Sequence, residues 1–300
     1  GDAVAADGLH LALGLGARAG EREIAHLMHK AEATGLICHA QHRGKPHGQL
    51  AEALGLSVVA RGAVLLMPDD LEAVLTAARG AAIDHAAIAQ RCRRPDEIFL
   101  LNSTSGTTGM PKCVAHDQMR WLHFHALASA GARLASDDVF MAGAPMPFGF
   151  GLWTSHITPA LLGAPCIKLP RFEAREAMAL IDRHRVTVLA AVSTQFMMIL
   201  NHADAFALNS LRILYTGGEA VPQARAAAFE RRTGARVLQF YGSNESGAFS
   251  HTCLDDKEDH RLSTAGRIIP EMQVRLFDEA GRDVTASGRG RPAGRGPLLS

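Results

Sequence analysis

Residues 98–116 read IFLLNSTSGTTGMPKCVAH. The opening Ile98, Phe99, Leu100 and Leu101 form an apolar run of the kind that builds a buried strand. It stops in ten residues, Ser103 to Lys112, that combine hydroxyls, glycines and one lysine. A second short apolar stretch, Cys113 to Ala115, follows. Hydroxyls at Ser103, Thr104, Ser105, Thr107 and Thr108 can donate to phosphate oxygens. Gly106 and Gly109 can take positive φ and let backbone N–H groups approach an anion closely. Lys112 adds a mobile point charge, and Pro111 stiffens the exit by fixing its own φ. Such composition also suits a flexible surface loop. A strand feeding directly into it, with a lysine at its end, favours phosphate. The common P-loop spacing is absent, because Pro111 sits between the last glycine region and the lysine.

Working outward, residues 117–134 read as a helix with Asp117 as its cap. Apolar β-rich runs then alternate with helical ones: Val139–Ala142, a helix around 151–162, Pro165–Leu169, a helix 173–184, Val186–Ala191 and a helix 194–202. Leu211–Tyr215, a helix 222–233 and Arg236–Tyr241 close the series. Strands separated by helices of this size predict an α/β fold, with parallel sheets flanked by helices. From about 261 the pattern changes. Met272–Asp278 alternates apolar and polar residues, and EAG at 279–281 reads as a hairpin turn, which suggests an antiparallel or barrel-like β piece. The expected organisation is therefore an α/β region over 1–260 and the beginning of a β-rich subdomain over 261–300. Upstream, residues 21–34 place Ile24, Leu27, Met28 and Ala31 on one helix face, with Gly35 as a stop. A short strand at 36–40, a helix at 48–54, a strand at 56–60 and a helix from Asp69 or Asp70 to Gly80 are expected next. Residues 81–96 carry no assigned element.

At 300 residues the chain has ample length for one large or two ordinary domains. Its 47% hydrophobic and 20% charged content is that of a soluble globular protein. A formal net charge of +1 implies no general attraction to nucleic acid or anionic membrane. The longest mostly apolar stretch, Val186 to Leu200, is too short and too polar to span a bilayer. No secretory signal is visible at the start. Cys38, Cys92, Cys113, Cys166 and Cys253 are odd in number and scattered, which points to a reduced, cytoplasmic protein. His251, Cys253 and His260 bracket an acidic run, Asp255 to Asp259. A solvated loop is expected there rather than zinc, since no compact set of four ligands appears.

Two further stretches sit at strand ends, where open α/β sheets bind ligands. YGSNESG at 241–247 offers an aromatic, a glycine and a carboxylate; an ordinary turn accounts for it equally well. TGGEAV at 216–221 precedes a helix opened by Pro222. Its two glycines would let a flat purine lie against backbone, or simply make a tight strand-to-helix turn.

TSGTTGMPK at 104–112 fits throughout the signature of the adenylate-forming superfamily, which includes acyl-CoA synthetases, peptide-synthetase adenylation domains and beetle luciferases. The chain resembles the acyl-CoA synthetase-like ligases of this group. YGSNE at 241–245 resembles their second signature, Tyr-Gly-x-Thr/Ser-Glu, with Asn244 where Thr is usual. An amide still donates a hydrogen bond, so tuning rather than loss is expected. TAGRIIPEMQVRLFDEAG at 264–281 resembles the following segment. Together the matches cover most of 98–297.

The resemblance implies a phosphate site at Thr104, Ser105, Gly106, Thr107, Thr108, Gly109 and Lys112, and an adenine pocket at Gly217, Gly218 and Glu219. Tyr241 would pack on the base beside Gly242, Asn244 would contact the α-phosphate or the substrate carboxylate, and Glu245 would hold Mg²⁺. Lys112, Asn244 and Glu245 are the catalytic candidates. The acyl pocket would lie near 144–153, with Phe148 beside the substrate and Gly149 where amino-acid-activating relatives carry Asp. An unpartnered buried ammonium is costly, so a neutral, apolar acid is favoured. Trp153, and Ser193 and Thr194 in the run 192–200, are further candidates for lining it, although packing explains aromatic and Met-rich faces equally well.

The implied reaction is carboxylate plus MgATP giving acyl-adenylate and pyrophosphate, followed by transfer to CoA as a thioester. The alternatives are adenylation with transfer to a carrier-protein thiol, and a non-catalytic nucleotide-binding fragment. The expected partners are a small carboxylic acid, ATP and CoA, with no nucleic acid and no membrane span. The relatives' C-terminal catalytic-lysine domain has no counterpart here, and the start lacks Met, so an incomplete chain is expected. GRGRPAGRGP at 288–297 resembles a family segment in which Glu-Leu stands at the place of Arg291 and Pro292, a change that argues against a strand there.

Overall fold

The computed structural model describes residues 12–15, 19–33, 37–39, 41–42, 45–46, 65–67, 85–104, 109–145, 148–169, 171–202 and 206–299. The chain divides into two compact units, Gly1–His116 and Asp117–Ser300.

The first unit carries β1 (Ala12–Gly14), a helix Glu21–Lys30, β2 (Ile37–His39), β3 (Gln41–His42), β4 (Lys45–Pro46), β5 (Leu65–Met67), a helix His85–Arg91, β6 (Ile98–Ser103) and β7 (Cys113–Asp117). The sheet order is β1-β6-β7, with β1 parallel to β6 and Leu13 opposite Leu101. The apolar face read in 21–34 is buried at Ile24, Leu27 and Met28. The strand at 36–40 forms as β2 and pairs in parallel with β5. Expected elements at 48–54, 56–60 and 69–80 fall outside the described residues. β1, β5 and the helix at 85–91 carried no assignment, because elements of three to seven residues show too little periodicity to read.

The second unit opens with a helix, Gln118–Ala132, whose cap is Asp117: its Oδ1 accepts from the Arg120 amide at 2.9 Å. Then come β8 (Phe140–Ala142), a helical run from Gly149 to Leu162, β9 (Cys166–Lys168), a helix Ala174–His184 and β10 (Val188–Ala190). A helix Ser193–Leu200, β11 (Ile213–Gly217), a helix Gln223–Thr233, β12 (Arg236–Ser243) and β13 (Gly247–His251) follow. A helix Glu258–Ser263, β14 (Arg267–Ile268), β15 (Gln273–Phe277) and β16 (Arg291–Arg295) complete it. The main sheet runs β14-β13-β12-β11-β10-β8-β9. β9, β8, β10, β11 and β12 are parallel, whereas β13 and β14 add antiparallel strands at one edge.

Val188, Leu189 and Ala190 are all buried, as a strand covered on both faces requires. Met141, Leu189, Leu214 and Val237 from the strands meet Met178, Ile181, Phe196 and Phe229 from the helices in one core. The chain leaves β8 toward β9 but leaves β10 in the opposite direction toward β11. Right-handed crossovers therefore put the two connecting helices on opposite faces and leave a crevice at the carboxyl ends of β8 and β10.

A strand does form at 291–295, contrary to the expectation drawn from Arg291 and Pro292. Among the described residues it pairs only with β15, Leu276 standing opposite Pro292. An edge position tolerates a residue without an N–H, which is why proline does not prevent it.

Asp138 locks the amino-terminal side of this sheet. Its carboxylate accepts from the Ala135 amide at 3.0 Å, the Thr187 hydroxyl at 2.7 Å, and the Arg212 guanidinium through Nε at 2.7 Å and through Nη2. Burial pushes the carboxyl up, but these donors outweigh it and hold it below its ordinary value. Its contribution is therefore complete above the unfolded value of about 3.9 and is lost as pH falls through the folded value. Asp138→Asn is expected to flatten the fall in unfolding free energy below about pH 5, measured by urea titration at a series of pH values. An acid limb identical to that of the parent would remove Asp138 as its source.

Candidate functional site

In the first unit, β6 delivers its last residues into the loop that begins at Thr104. The Ser103 hydroxyl donates to the Gly14 carbonyl at 2.9 Å, fastening the strand end to β1. The loop's two feet are joined directly. The Thr104 amide donates to the Lys112 carbonyl at 3.0 Å, and the Lys112 amide donates to the Thr104 hydroxyl oxygen, also at 3.0 Å. The hydroxyl thus spends acceptor capacity on the neck and keeps its own hydrogen for another acceptor. Pro111 is buried, and its carbonyl lies 3.1 Å from His26 Nε2 on the helix Glu21–Lys30. The Lys112 side chain is exposed, and Gly109 sits at φ +153°. Ser105, Gly106, Thr107 and Thr108 lie outside the described residues.

In the second unit, the candidates at 148–149, 193–194, 217–219 and 241–245 follow the carboxyl ends of parallel strands, and Trp153 lies in the core. Gly217 ends β11 opposite Phe240 of β12. A Cβ there would stand 2.6 Å from the Phe240 carbonyl oxygen, so only glycine lets the two strands meet at this level. Gly218, at φ +84°, turns the chain outward and leaves Glu219 exposed. Near the end of β12, the pairing with β13 shifts between Tyr241 and Gly242, a bulge of the sort that re-aims side chains. Tyr241 is 44% exposed and Glu245 is exposed. The turn is braced internally by the Ser246 hydroxyl, which accepts from the Ser243 amide at 2.9 Å.

The segment after β8 meets this turn. Asn244 Oδ1 accepts from the Gly149 amide at 3.0 Å, and the Asn244 backbone carbonyl accepts from the Arg120 guanidinium. Phe148 is half-buried at the start of the helical run. Trp153 is 1% exposed in an aromatic cluster, its ring 4.6 Å from Phe124 and 5.2 Å from both Tyr215 and Phe240, at the head of a π-helical turn, Trp153–Ile157. Its ring is therefore packed into the core.

The segment after β10 closes the other side. The Ser193 hydroxyl donates to the Ala220 carbonyl at 3.4 Å, tying it to the 216–221 turn. Thr194 is exposed. Gln195 donates from Nε2 to the Gly143 carbonyl at 2.8 Å and bridges the crevice between β8 and β10. Gln195 and Arg120 had no signal in the sequence, since each acts through a partner at least 52 residues away.

His251 Nδ1 and Cys253 Sγ approach to 3.6 Å, and burial pushes the Cys253 thiol up rather than toward a reactive thiolate. Among the described residues no three His, Cys, Asp or Glu side chains converge as a metal-binding set. Glu245 offers one exposed carboxylate, enough for Mg²⁺ when phosphate oxygens and water complete its shell. No helix among the described residues is long and apolar enough to cross a membrane.

The family model described as AMP-binding enzyme matches residues 10–299. The chain is 27% identical to the medium/long-chain-fatty-acid–CoA ligase FadD8 of Mycobacterium tuberculosis over 257 residues, 79% of this chain and 44% of that protein. It is 30% identical to the pyochelin synthase PchD of Pseudomonas aeruginosa over 208 residues, covering 68% of this chain and 38% of that one. It therefore spans less than half the length of these two relatives. Among solved structures, ATP-bound MatB from Rhodopseudomonas palustris superposes with a TM-score of 0.79 at 20% identity, over 99% of this chain and 63% of that one.

Proposed function

The chain belongs to the AMP-binding enzyme family, and we propose that it handles the nucleotide and acid of a ligase that activates a carboxylic acid as its acyl-adenylate and passes the acyl group to CoA. The observation that carries this reading is the gathering of Gly217–Glu219, Tyr241–Glu245, Phe148–Gly149 and Ser193–Gln195 at one edge of one sheet, around the point where strand order reverses.

The chemistry asks little of acids and bases. A carboxylic acid with a pKa of about 4.3 is ionised at neutral pH, so no general base is required. The difficulty is charge, because each like-charged pair at 4 Å costs on the order of 4 kcal/mol near a protein surface. Lys112 and the loop that it closes offset negative charge on the phosphates, while Asn244 orients the incoming carboxylate. Tyr241 gives the base a flat apolar platform against the backbone of Gly217 and Gly218. Mg²⁺ held by Glu245 would neutralise phosphate charge and steady the departing pyrophosphate.

FadD8 is named for acting on medium- and long-chain fatty acids. Together with Gly149 in place of an ammonium-binding Asp, this supports a neutral, apolar acid as substrate. A second reading keeps the same activation step and gives a carrier-protein thiol, in place of CoA, as the acceptor.

The whole protein is expected to exchange labelled pyrophosphate into ATP only when a suitable acid is present. A panel of aliphatic, alicyclic and aromatic acids tests this, and exchange with none of them would sink the proposal. Thioester formation with free CoA, against a pantetheine-loaded carrier, separates the two acceptors.

A further inference from the structure

Asn244 stands where the signature it resembles carries Thr, and it is gripped at both ends. Gly149 holds its carboxamide through the 3.0 Å N–H···Oδ1 bond, and Arg120 holds its backbone carbonyl. A Cβ on residue 149 would lie 2.7 Å from that same Oδ1, so any larger residue there would push the carboxamide from its present position. Arg120 is 5% exposed, and its Nη1 has no hydrogen-bond partner among the described residues. Burial pushes its pKa down to about 10, with Asp117 and Glu245 drawing it back up, so it remains a cation at neutral pH. A desolvated guanidinium is an expensive way to support one peptide carbonyl unless the placement of that peptide matters.

We infer that Gly149 and Arg120 are positioning residues that pre-set Asn244 for the reacting carboxylate. Threonine, being β-branched, is stiff at χ1 and needs little help to present its hydroxyl. Asparagine adds a second torsion, broad and weakly directed. The Gly149 amide removes that freedom before the acid arrives, and Arg120 fixes the peptide from which the side chain springs. The inference rests on the assignment of Asn244 to the acid in the proposed reaction.

The test is pyrophosphate exchange by the whole protein in Gly149→Ala, Asn244→Ser, the double variant and Arg120→Lys, with thermal unfolding followed in parallel. Gly149→Ala is expected to lower kcat about 10²-fold by displacing the carboxamide, with the KM for ATP within about threefold of the parent. Adding Asn244→Ser removes the atom that the new methyl strikes and is expected to recover about tenfold, so the two changes are not additive. Arg120→Lys keeps the charge without the planar fork and is expected to lower kcat with little change in ATP KM. Gly149→Ala exchanging at the parental rate, or a folded double variant no faster than the single one, would overturn the inference. Should Gly149→Ala fail to fold, Arg120→Lys decides, and a parental kcat there overturns it too. A parent protein that exchanges with no acid fails the proposed function instead, and this inference falls with it.

Discussion

Glu230→Ala is expected to lower the free energy of unfolding by about 3–5 kcal/mol, because it strands a buried guanidinium. Arg261 is 2% exposed and lies in the helix Glu258–Ser263; Glu230 is in the helix Gln223–Thr233. The Arg261 guanidinium pairs with both Glu230 oxygens, through Nη1 to Oε1 and through Nη2 to Oε2 at 3.2 Å. The Val237 amide also donates to Oε1 at 2.7 Å, so the same carboxylate caps the start of β12. Alanine removes the acceptor and leaves both the amide and the cation without it. Replacing Glu230 and Arg261 together by apolar residues of similar volume is expected to recover most of the loss, since breaking a buried pair costs more than never burying one. Urea unfolding of the three chains measures both effects. A loss below about 1 kcal/mol in Glu230→Ala would mean that solvent reaches Arg261 freely.

Lys112→Ala and Glu245→Ala are each expected to slow pyrophosphate exchange by about 10²–10³-fold, the usual cost of deleting one preorganised charge from a transition state. The Lys112 side chain is exposed, so thermal stability should barely change there; Glu245 also faces the buried Arg120 cation, so thermal unfolding followed in parallel separates a kinetic loss from a folding one. The two should differ in kind. Glu245→Ala is expected to raise the Mg²⁺ concentration needed for half-maximal rate, whereas Lys112→Ala is expected to raise the KM for ATP at saturating Mg²⁺. Parental kinetics in both variants would remove these assignments.

The alternation of strands and helices between residues 139 and 241 was legible because β8, β10 and β11 are short apolar runs buried at every residue, and helices of eight to fifteen residues separate the strands clearly enough to read. Asp117 caps as its residue type predicts, whereas Glu173, read as the first residue of its helix, caps it instead through the Arg175 and Glu176 amides. The antiparallel strands β13 and β14 were not legible. GAFSH neither alternates nor runs apolar, and its pairing is decided by distant partners. The acidic run Asp255–Asp259 is exposed at every residue but Asp256, which partners outside the run hold. The Asp256 side chain is only 4% exposed, taking the Cys253 amide at 2.8 Å and Arg267 at 3.0 Å. In the candidate site, the glycines and the turns were visible as composition. What was invisible is what holds them, since Arg120, Gln195 and the bond from Gly149 to Asn244 join segments far apart in the chain.

The reversal between β8 and β10 has a practical corollary for redesign. The segments that leave these two strands, 143–149 and 191–195, meet through Gln195 and Gly143 above a sheet whose strands pair below them. Grafting both stretches together from a relative of different acid preference should change substrate choice while leaving folding intact. Grafting either alone would part that amide from its carbonyl.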